Sequence, residues 1–167
     1  KSHIEVDGIV ASPYASGLAM CQENDDRIIV IEVGGSTTSV SFWYNGAFSG
    51  VKNVPIGGGH LTLSLSKELG ISYADAERLK VLYGSAISYA YESDENVMAA
   101  VLDENDVLRM QQVSKSSINN IVQEKVAQLA DLLNNQISES EFNDFSKKLD
   151  FGLTISCACF CFNSWFI

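Results

Sequence analysis

The sequence predicts an α/β domain in which helices pack on a β-sheet, and three features predict this class. The β-branched residues Ile28, Ile29, Val30, Ile31 and Val33 form a run that is typical of a strand buried in the centre of a sheet. The dipeptide Asn45-Gly46, set between alternating apolar residues, indicates a tight hairpin of two further strands. Apolar residues recur at spacings of three and four over residues 118–137, which predicts a long helix whose apolar stripe packs on the sheet.

Composition limits both the size of the fold and its partners. A chain of 167 residues that is 46% hydrophobic can bury a core as one compact domain or two small subdomains. Its 21 acidic and 11 basic side chains give a net charge of -10, a field that repels phosphates, so we expect no nucleic-acid partner. The chain starts at Lys1 without a signal-peptide pattern, and we expect it to begin inside a longer protein.

The first part of the chain reads as strands with one intervening helix. The strands are predicted at residues 4–10, 28–33, 40–44 and 47–54. Between the first two, Ser12 and Pro13 have the character of an N-cap and a first helical residue, and a helix of small residues follows them.

The second part predicts three helices and a second hairpin. Pro55 and the glycine run at residues 57–59 break the sheet. The predicted elements are helices at residues 60–69 and 73–82, strands at 97–102 and 107–113, and a long helix capped by Ser114. Gly70 and Gly84 follow the two shorter helices at the position that helix C-caps favour.

A glycine-rich turn, Glu-Val-Gly-Gly-Ser-Thr-Thr-Ser at residues 32–39, separates the buried strand from the hairpin. Its glycines permit unusual backbone angles and let backbone amides approach an anion, while the hydroxyls that follow can donate to phosphate oxygens. From the residues alone, an ordinary β-turn is an equal alternative. The candidate phosphate ligands are Gly34, Gly35, Ser36, Thr37 and Thr38.

Several segments in register resemble the FtsA family of bacterial cell-division proteins, within the actin-like ATPase superfamily. The matching segments are residues 9–19 (IVASPYASGLA), 55–62 (PIGGGHLT), 75–80 with 83–84 (DAERLK, YG), and Val113-Ser114 at the start of the long helix. The resemblance extends over about residues 4–137 and covers mainly the second lobe of that family. It implies a truncated actin-like, ribonuclease H-like lobe with a mixed sheet and packing helices.

The resemblance also implies a division of the chain. Residues 1–150 would form the second lobe, with 60–113 as its smaller subdomain, and residues 151–167 would form an atypical apolar tail rich in Cys and Phe. Where the family has a glycine-glycine loop against the nucleoside, no glycine follows Gly152, and our hypothesis is a frameshifted or truncated end. The tail is shorter than the roughly 20 residues of a spanning helix and lacks the basic face of an amphipathic anchor.

The implied function is a scaffold of the bacterial division septum. FtsA-like proteins bind ATP between two lobes, self-associate into filaments, bind the carboxyl-terminal tail of FtsZ, and attach FtsZ filaments to the inner membrane. We therefore expect ATP and Mg²⁺ as cofactors, and the FtsZ tail and further copies of the chain as partners. The FtsZ tail would bind around residues 47–113. The expected location is the cytoplasm, at the membrane face of the division site.

The same resemblance assigns nucleotide-binding roles to individual residues. The five turn residues would hold the β- and γ-phosphates, and Glu77 and Lys80 match the acid and base that lie near the nucleoside. Residues three apart on a helix share a face, so both side chains can line one cleft. The alternative is a solvent-exposed ion pair that contributes roughly a few tenths of a kcal/mol.

Two departures from the family predict impaired hydrolysis. The family commonly has Asp at both ends of the turn, where carboxylates help to organise magnesium and water, whereas this chain has Glu32 and Ser39. The extra methylene of Glu32 moves the charged oxygen by roughly a bond length, and Ser39 lacks a charge. We expect Glu32 to be a substituted magnesium- or water-organising acid, without efficient catalysis.

Two other functions stay open. An active ATPase or kinase of the actin-like superfamily would need a positioned carboxylate and a complete two-lobed cleft. A thiol or metal-binding module could use Cys157, Cys159 and Cys161. Their spacing of two places them on one face of a strand, whereas zinc sites usually pair cysteines at gaps of two to four residues, so we predict reduced thiols and no metal site.

Overall fold

The computed structural model describes residues 5–21, 27–87, 95–102, 108–138 and 150–154. The helices are α1 (Ser12–Met20), α2 (Gly58–Leu69), α3 (Tyr73–Tyr83) and α4 (Lys115–Ser138). The strands are β1 (Arg27–Val33), β2 (Thr38–Tyr44), β3 (Ala47–Val54), β4 (Asn96–Leu102), β5 (Leu108–Ser114) and β6 (Asp150–Thr154). The predicted α/β class is confirmed.

The larger sheet is mixed and has the strand order β3-β2-β1-β6. Antiparallel pairing joins β1 to β2 and β2 to β3, whereas β6 runs parallel to β1. Asn45 and Gly46 have φ values of 48° and 74°, as a two-residue hairpin turn requires, so the predicted hairpin is confirmed. Four of the five residues of β6 belong to the segment that the sequence set apart as a tail.

The smaller sheet is the antiparallel pair β4-β5, as predicted for the second hairpin. It packs with α2 and α3 around a core that includes Leu65 and Leu79. Both shorter helices end at the predicted glycines. Gly70 is left-handed with φ 63°, whereas Gly84 is extended, and a Cβ atom there would lie 2.5 Å from the Lys80 carbonyl oxygen.

Helix α4 connects the two cores of the molecule. In its first half, Ile118 and Val122 pack into the core of the smaller sheet. In its second half, Leu129 and Leu133 pack on β1, β2 and β3 of the larger sheet. The predicted packing of the apolar stripe is therefore confirmed, and so is the cap, because Ser117 N donates to Ser114 Oγ at 3.1 Å.

Helix α1 covers the opposite face of the larger sheet. Side chains alternate along a strand, so Phe42 faces the core under α4 while Trp43 faces α1. Trp43 is 1% exposed, and a Cβ atom on Gly17 would lie 2.1 Å from its indole ring. The helix can lie this close to the sheet only because residue 17 is glycine.

Two predictions near the start of the chain are wrong. Residues 5–11 have no regular secondary structure, and Val6 and Ile9 are 76% and 95% exposed. Apolar residues form a strand only where a neighbouring strand pairs with their backbone, which local sequence does not reveal. Ala11 occupies the N-cap of α1, and Ser12 is already helical.

Candidate functional site

The glycine-rich turn links β1 to β2 and presents its middle to solvent. Gly34 N donates to Thr37 O at 2.8 Å and closes the turn. Gly35, Ser36 and Thr37 are exposed, and a Cβ atom built on Gly35 would meet no atom within 4 Å. Backbone and hydroxyl groups at the surface, with open space beside them, suit the approach of an anion.

The amino-terminal end of α2 lies directly against this turn. Gly58 N donates to Gly34 O and Gly59 N donates to Gly35 O, both at 2.8 Å. A Cβ atom on Gly57 would lie 2.3 Å from Gly34 O, so this approach needs glycine at residue 57. Sequence reasoning assigned residues 57–59 only a sheet-breaking role, although three glycines just before a helix are a recognisable signal for close backbone approach.

Two side chains fix this junction. His60 Nδ1 accepts a hydrogen bond from Gly57 N at 3.1 Å, which closes the start of α2. Thr38 is fully buried, and its hydroxyl donates to Ile56 O at 2.7 Å. The structure thus places Thr38 beneath the turn as a structural link, whereas the other predicted turn residues lie at or near the surface.

The acid at the first end of the turn is held by α1. Glu32 is 9% exposed at the end of β1, and the Ser12 hydroxyl donates a hydrogen bond to its carboxylate. Ser12 lies in the first turn of α1, where the helix dipole favours negative charge. Sequence reasoning missed this contact because the two residues are 20 positions apart and no local signal joins them.

The second end of the turn is occupied by a cross-strand contact. Ser39 lies opposite Asn53 in the β2-β3 pair, and its hydroxyl donates to Asn53 Oδ1 at 2.7 Å. This end of the turn therefore offers a neutral hydroxyl that is engaged with the neighbouring strand.

Lys80 and Glu77 lie in a cluster between α2 and α3. Lys80 Nζ donates to Glu77 Oε2 at 2.7 Å, to Thr62 Oγ1 at 2.8 Å and to Gly58 O at 3.3 Å. The Lys80 side chain is 2% exposed and the Glu77 side chain 30%. The alternative of a solvent-exposed surface pair is therefore wrong.

Gly58 brings the two predicted groups of site residues together. Its amide donates to the glycine-rich turn and its carbonyl accepts from Lys80. Thr62 adds a hydroxyl that hydrogen-bonds with Gly58 O at 3.2 Å and also contacts Glu77. Sequence reasoning missed both Gly58 and Thr62, because their roles depend on contacts between separate helices.

Helix α3 is anchored to the smaller sheet by Asp75 and Arg78, which pair with each other and each form a hydrogen bond with the backbone of β4. The Asp75 carboxylate accepts from Ala100 N, and Arg78 binds Asp75 and donates to Met98 O at 2.8 Å. Burial raises the pKa of Asp75, but the Ala100 amide and the Arg78 guanidinium outweigh this and hold the pKa below its usual value of 3.8. These contacts cover one edge of β4 and fix the helix that carries Lys80.

The described residues offer few metal ligands. They contain no cluster of three or more His, Cys, Asp or Glu side chains able to hold a metal ion. Glu32 supplies one carboxylate beside the turn, which fits magnesium that arrives with phosphate groups, since Mg²⁺ commonly takes one or two carboxylates plus phosphate and water. Cys157, Cys159 and Cys161 lie outside the described residues. Within the described part of the chain, no helix combines the length and apolar character needed to cross a membrane.

Comparison with known sequences gives one consistent family. The profile of the family described as cell division protein FtsA matches residues 29–154. The FtsA protein of Agrobacterium fabrum is 32% identical over 145 residues, which cover 86% of this chain and 33% of that protein. The FtsA protein of Bacillus subtilis is 24% identical over 146 residues, which cover 86% of this chain and 32% of that protein. The chain thus spans about a third of the length of these curated relatives.

Comparison with solved structures identifies the fold. MreB 5 of Spiroplasma citri bound to AMPPNP superposes with a TM-score of 0.67 at 17% identity, over 89% of this chain and 46% of that one. The PilM-PilN complex of type IV pilus biogenesis superposes with a TM-score of 0.52 at 16% identity, over 86% of this chain and 32% of that one. An archaeal actin homologue, Ta0583, superposes with a TM-score of 0.52 at 15% identity, over 85% of this chain and 39% of that one. At these identities the likeness shows the fold alone, and it confirms the predicted actin-like lobe.

Proposed function

The chain belongs to the FtsA family of cell division proteins, and from this premise we propose that it acts as a nucleotide-binding scaffold of the bacterial division septum. The proposed ligands are ATP with Mg²⁺, the carboxyl-terminal tail of FtsZ, and further copies of the chain in a filament. The proposed location is the cytoplasmic face of the inner membrane at the division site.

The observation that carries the nucleotide proposal is the glycine-rich turn docked on the start of α2. The exposed amides and hydroxyls of residues 35–37 would hold the β- and γ-phosphates, with Gly34 and the buried Thr38 fixing the shape of the turn. Bound magnesium would supply positive charge to the phosphate oxygens, and in this proposal Glu32 would be the carboxylate that binds it or its water.

The cluster between α2 and α3 would form the nucleoside side of the same site. The Glu77 side chain is 30% exposed, and in this proposal its carboxylate would turn toward a nucleoside hydroxyl or amine and accept a hydrogen bond from it. Lys80 lies behind it and supports its orientation through their 2.7 Å ion pair. In this proposal Glu77 contacts the nucleotide and Lys80 belongs to the wall of the site.

The contacts at the two ends of the glycine-rich turn favour nucleotide binding without efficient hydrolysis. The Glu32 carboxylate already accepts from Ser12, and the Ser39 hydroxyl is engaged with Asn53. An acid held in this way, with the neutral Ser39 at the other end of the turn, is poorly placed to activate water. We therefore propose that nucleotide serves assembly rather than hydrolysis.

A thermal-shift titration with Mg–ATP tests the nucleotide site. Ligand at about 100 times its dissociation constant should stabilise the chain by about 2.7 kcal/mol. Gly35→Ala should abolish this shift, because the open space beside Gly35 accepts a methyl group in the ligand-free fold but places it where a phosphate would approach. Gly8→Ala is the matched control, because a Cβ atom there also meets nothing within 4 Å. No shift in the unaltered chain, or an equal shift in Gly35→Ala, would contradict the site.

Fluorescence anisotropy with a labelled FtsZ tail peptide tests the partner. We expect saturable binding to the chain, and a competing excess of unlabelled tail should reverse it. A tail peptide of scrambled sequence and equal charge is the control, because it keeps any electrostatic effect of this chain's net charge of -10 and removes the sequence. Equal affinity for both peptides, or none for either, would contradict the FtsZ proposal and leave the nucleotide proposal untouched.

A further inference from the structure

We propose that Lys80 is a positioning residue that holds the first turn of α2 against the glycine-rich turn and makes no contact with the nucleotide. The resemblance to the family predicted a base at the nucleoside, whereas the contacts of Lys80 point to a mechanical role through Gly58. The inference rests on the proposed nucleotide site for its ligand measurements, and a ligand-free measurement tests it separately.

The hydrogen-bonding capacity of Lys80 is fully used inside the protein. A lysine ammonium has three N–H donors, and the Lys80 group has three acceptors, on Glu77, Thr62 and Gly58, at 2.7, 2.8 and 3.3 Å. With its side chain only 2% exposed, no face of the ammonium is left for a ligand in this arrangement.

The contact with Gly58 links the Lys80 ammonium to the glycine-rich turn. Gly58 O accepts from Lys80, and on the same residue Gly58 N donates to Gly34 O at 2.8 Å. The next amide, Gly59 N, donates to Gly35 O, also at 2.8 Å. A displacement of Gly58 would therefore lengthen two hydrogen bonds that hold the turn.

The three glycines at this junction have no side chains of their own, so contacts from neighbouring residues, Lys80 among them, restrain it. Residues 57–59 are all glycine and pack on the turn by close backbone contact, with the Cβ position of Gly59 only 3.0 Å from Gly35 O. Glycine also has the greatest backbone freedom of any residue, so the segment needs restraint from outside itself. Lys80 and Thr62 supply such restraint from α3 and from the next turn of α2.

Paired affinities for ATP and for inorganic tripolyphosphate test the role of Lys80, because tripolyphosphate has the phosphates and no nucleoside. Lys80→Met should lower the affinity for both ligands by the same factor. We expect about tenfold, which corresponds to the loss of one charged hydrogen bond. Lys125→Met is the matched control, because Lys125 pairs with Glu68 of α2 at 3.7 Å and with Glu124 at 3.3 Å, away from the glycine junction. A loss confined to ATP would mean a nucleoside contact, and unchanged affinities would mean a role in stability alone; either result overturns the proposal.

Amide hydrogen exchange of the ligand-free chain gives the independent test. Exchange at Gly58 N and Gly59 N should accelerate about tenfold more than exchange at the amides of β2 in Lys80→Met, because general destabilisation would accelerate both sets of amides, and it should stay unchanged relative to β2 in Lys125→Met. If Lys80→Met does not fold, Thr62→Val should show the same acceleration and Thr62→Ser, which keeps the hydroxyl, should not. If the unaltered chain binds neither ligand, the proposed nucleotide site fails, and exchange alone decides whether Lys80 holds the junction. Exchange at both glycines that is unchanged relative to β2 overturns the inference.

Discussion

The glycine-rich turn and the Lys80 cluster meet at Gly58, yet they are built in opposite ways. The turn is exposed and uses backbone groups, with glycines that leave open space. The cluster is buried and uses a charged side chain whose desolvation is offset by an acid, a hydroxyl and a carbonyl. Changes in the turn should therefore alter binding with little effect on stability, whereas changes in the cluster should alter stability first.

The largest stability effect is expected for Lys80→Met. Removing one partner of a buried ion pair typically costs 3–5 kcal/mol, but Glu77 is 30% exposed and can be rehydrated, so we expect a loss of about 2–3 kcal/mol. Urea unfolding monitored by circular dichroism measures it. Lys125→Met, at a more exposed ion pair, should lose less than about 1 kcal/mol. Equal losses in the two variants would contradict the distinction between a buried and a surface lysine.

A smaller loss is expected for Gly57→Ala, at the junction between the two regions. The added methyl group would lie 2.3 Å from the Gly34 carbonyl oxygen, which is backbone and cannot rotate away. Overpacking of this kind costs about 1–3 kcal/mol, and we expect a value near the middle of that range. Urea unfolding measures this loss of stability, with Gly8→Ala as the neutral reference. Equal stability of the two variants would show that residue 57 is not in close contact with the glycine-rich turn.

A pH-dependent loss is expected from Asp75, which anchors α3 beside the cluster. Its pKa is lowered in the folded chain, so its contribution is complete above its usual value of 3.8 and is lost as pH falls below it. Asp75→Asn should be less stable than the unaltered chain at neutral pH, and the difference should shrink as the pH falls below 3.8 and through the lowered pKa of the folded chain. Melting temperatures across this range measure it. A constant difference at every pH would rule out the charge of Asp75 as the cause.

The smallest stability effect is expected for Gly35→Ala in the turn. A Cβ atom there meets nothing within 4 Å, and Gly35 is not among the glycines with positive φ. We expect a change in unfolding free energy within about 0.5 kcal/mol, as for other surface substitutions. A loss comparable to that of Lys80→Met would show that the turn is part of the folded core rather than a binding element.

Three strands of the larger sheet, β1, β2 and β3, were predictable because their signals are local, whereas β6 fell in the segment predicted as a tail. The β-branched run of β1 and the Asn45-Gly46 turn specify a buried strand and a hairpin without reference to the rest of the chain. The apolar stripe of α4 was also predictable, but not that its two halves serve different cores, since periodicity gives a face and does not identify what covers it.

The site was predictable only in part, because its contacts are long-range. The sequence indicated the turn and the pair Glu77 and Lys80, but the burial of Lys80 depends on Gly58, 22 positions away in the chain. The strand predicted at residues 4–10 is not found over the described residues 5–10, because the pairing of a strand depends on a neighbouring strand that local sequence does not identify.

An amide-resolved NMR titration with Mg–ATP tests most directly whether the glycine-rich turn is the nucleotide site. We predict that the largest chemical-shift changes occur at the amides of residues 35–37, with smaller changes at Gly58 and Gly59, which are hydrogen-bonded to the turn. Saturation without any change at residues 35–37, or no change anywhere at millimolar nucleotide, would contradict the assignment of this turn as the phosphate-binding element.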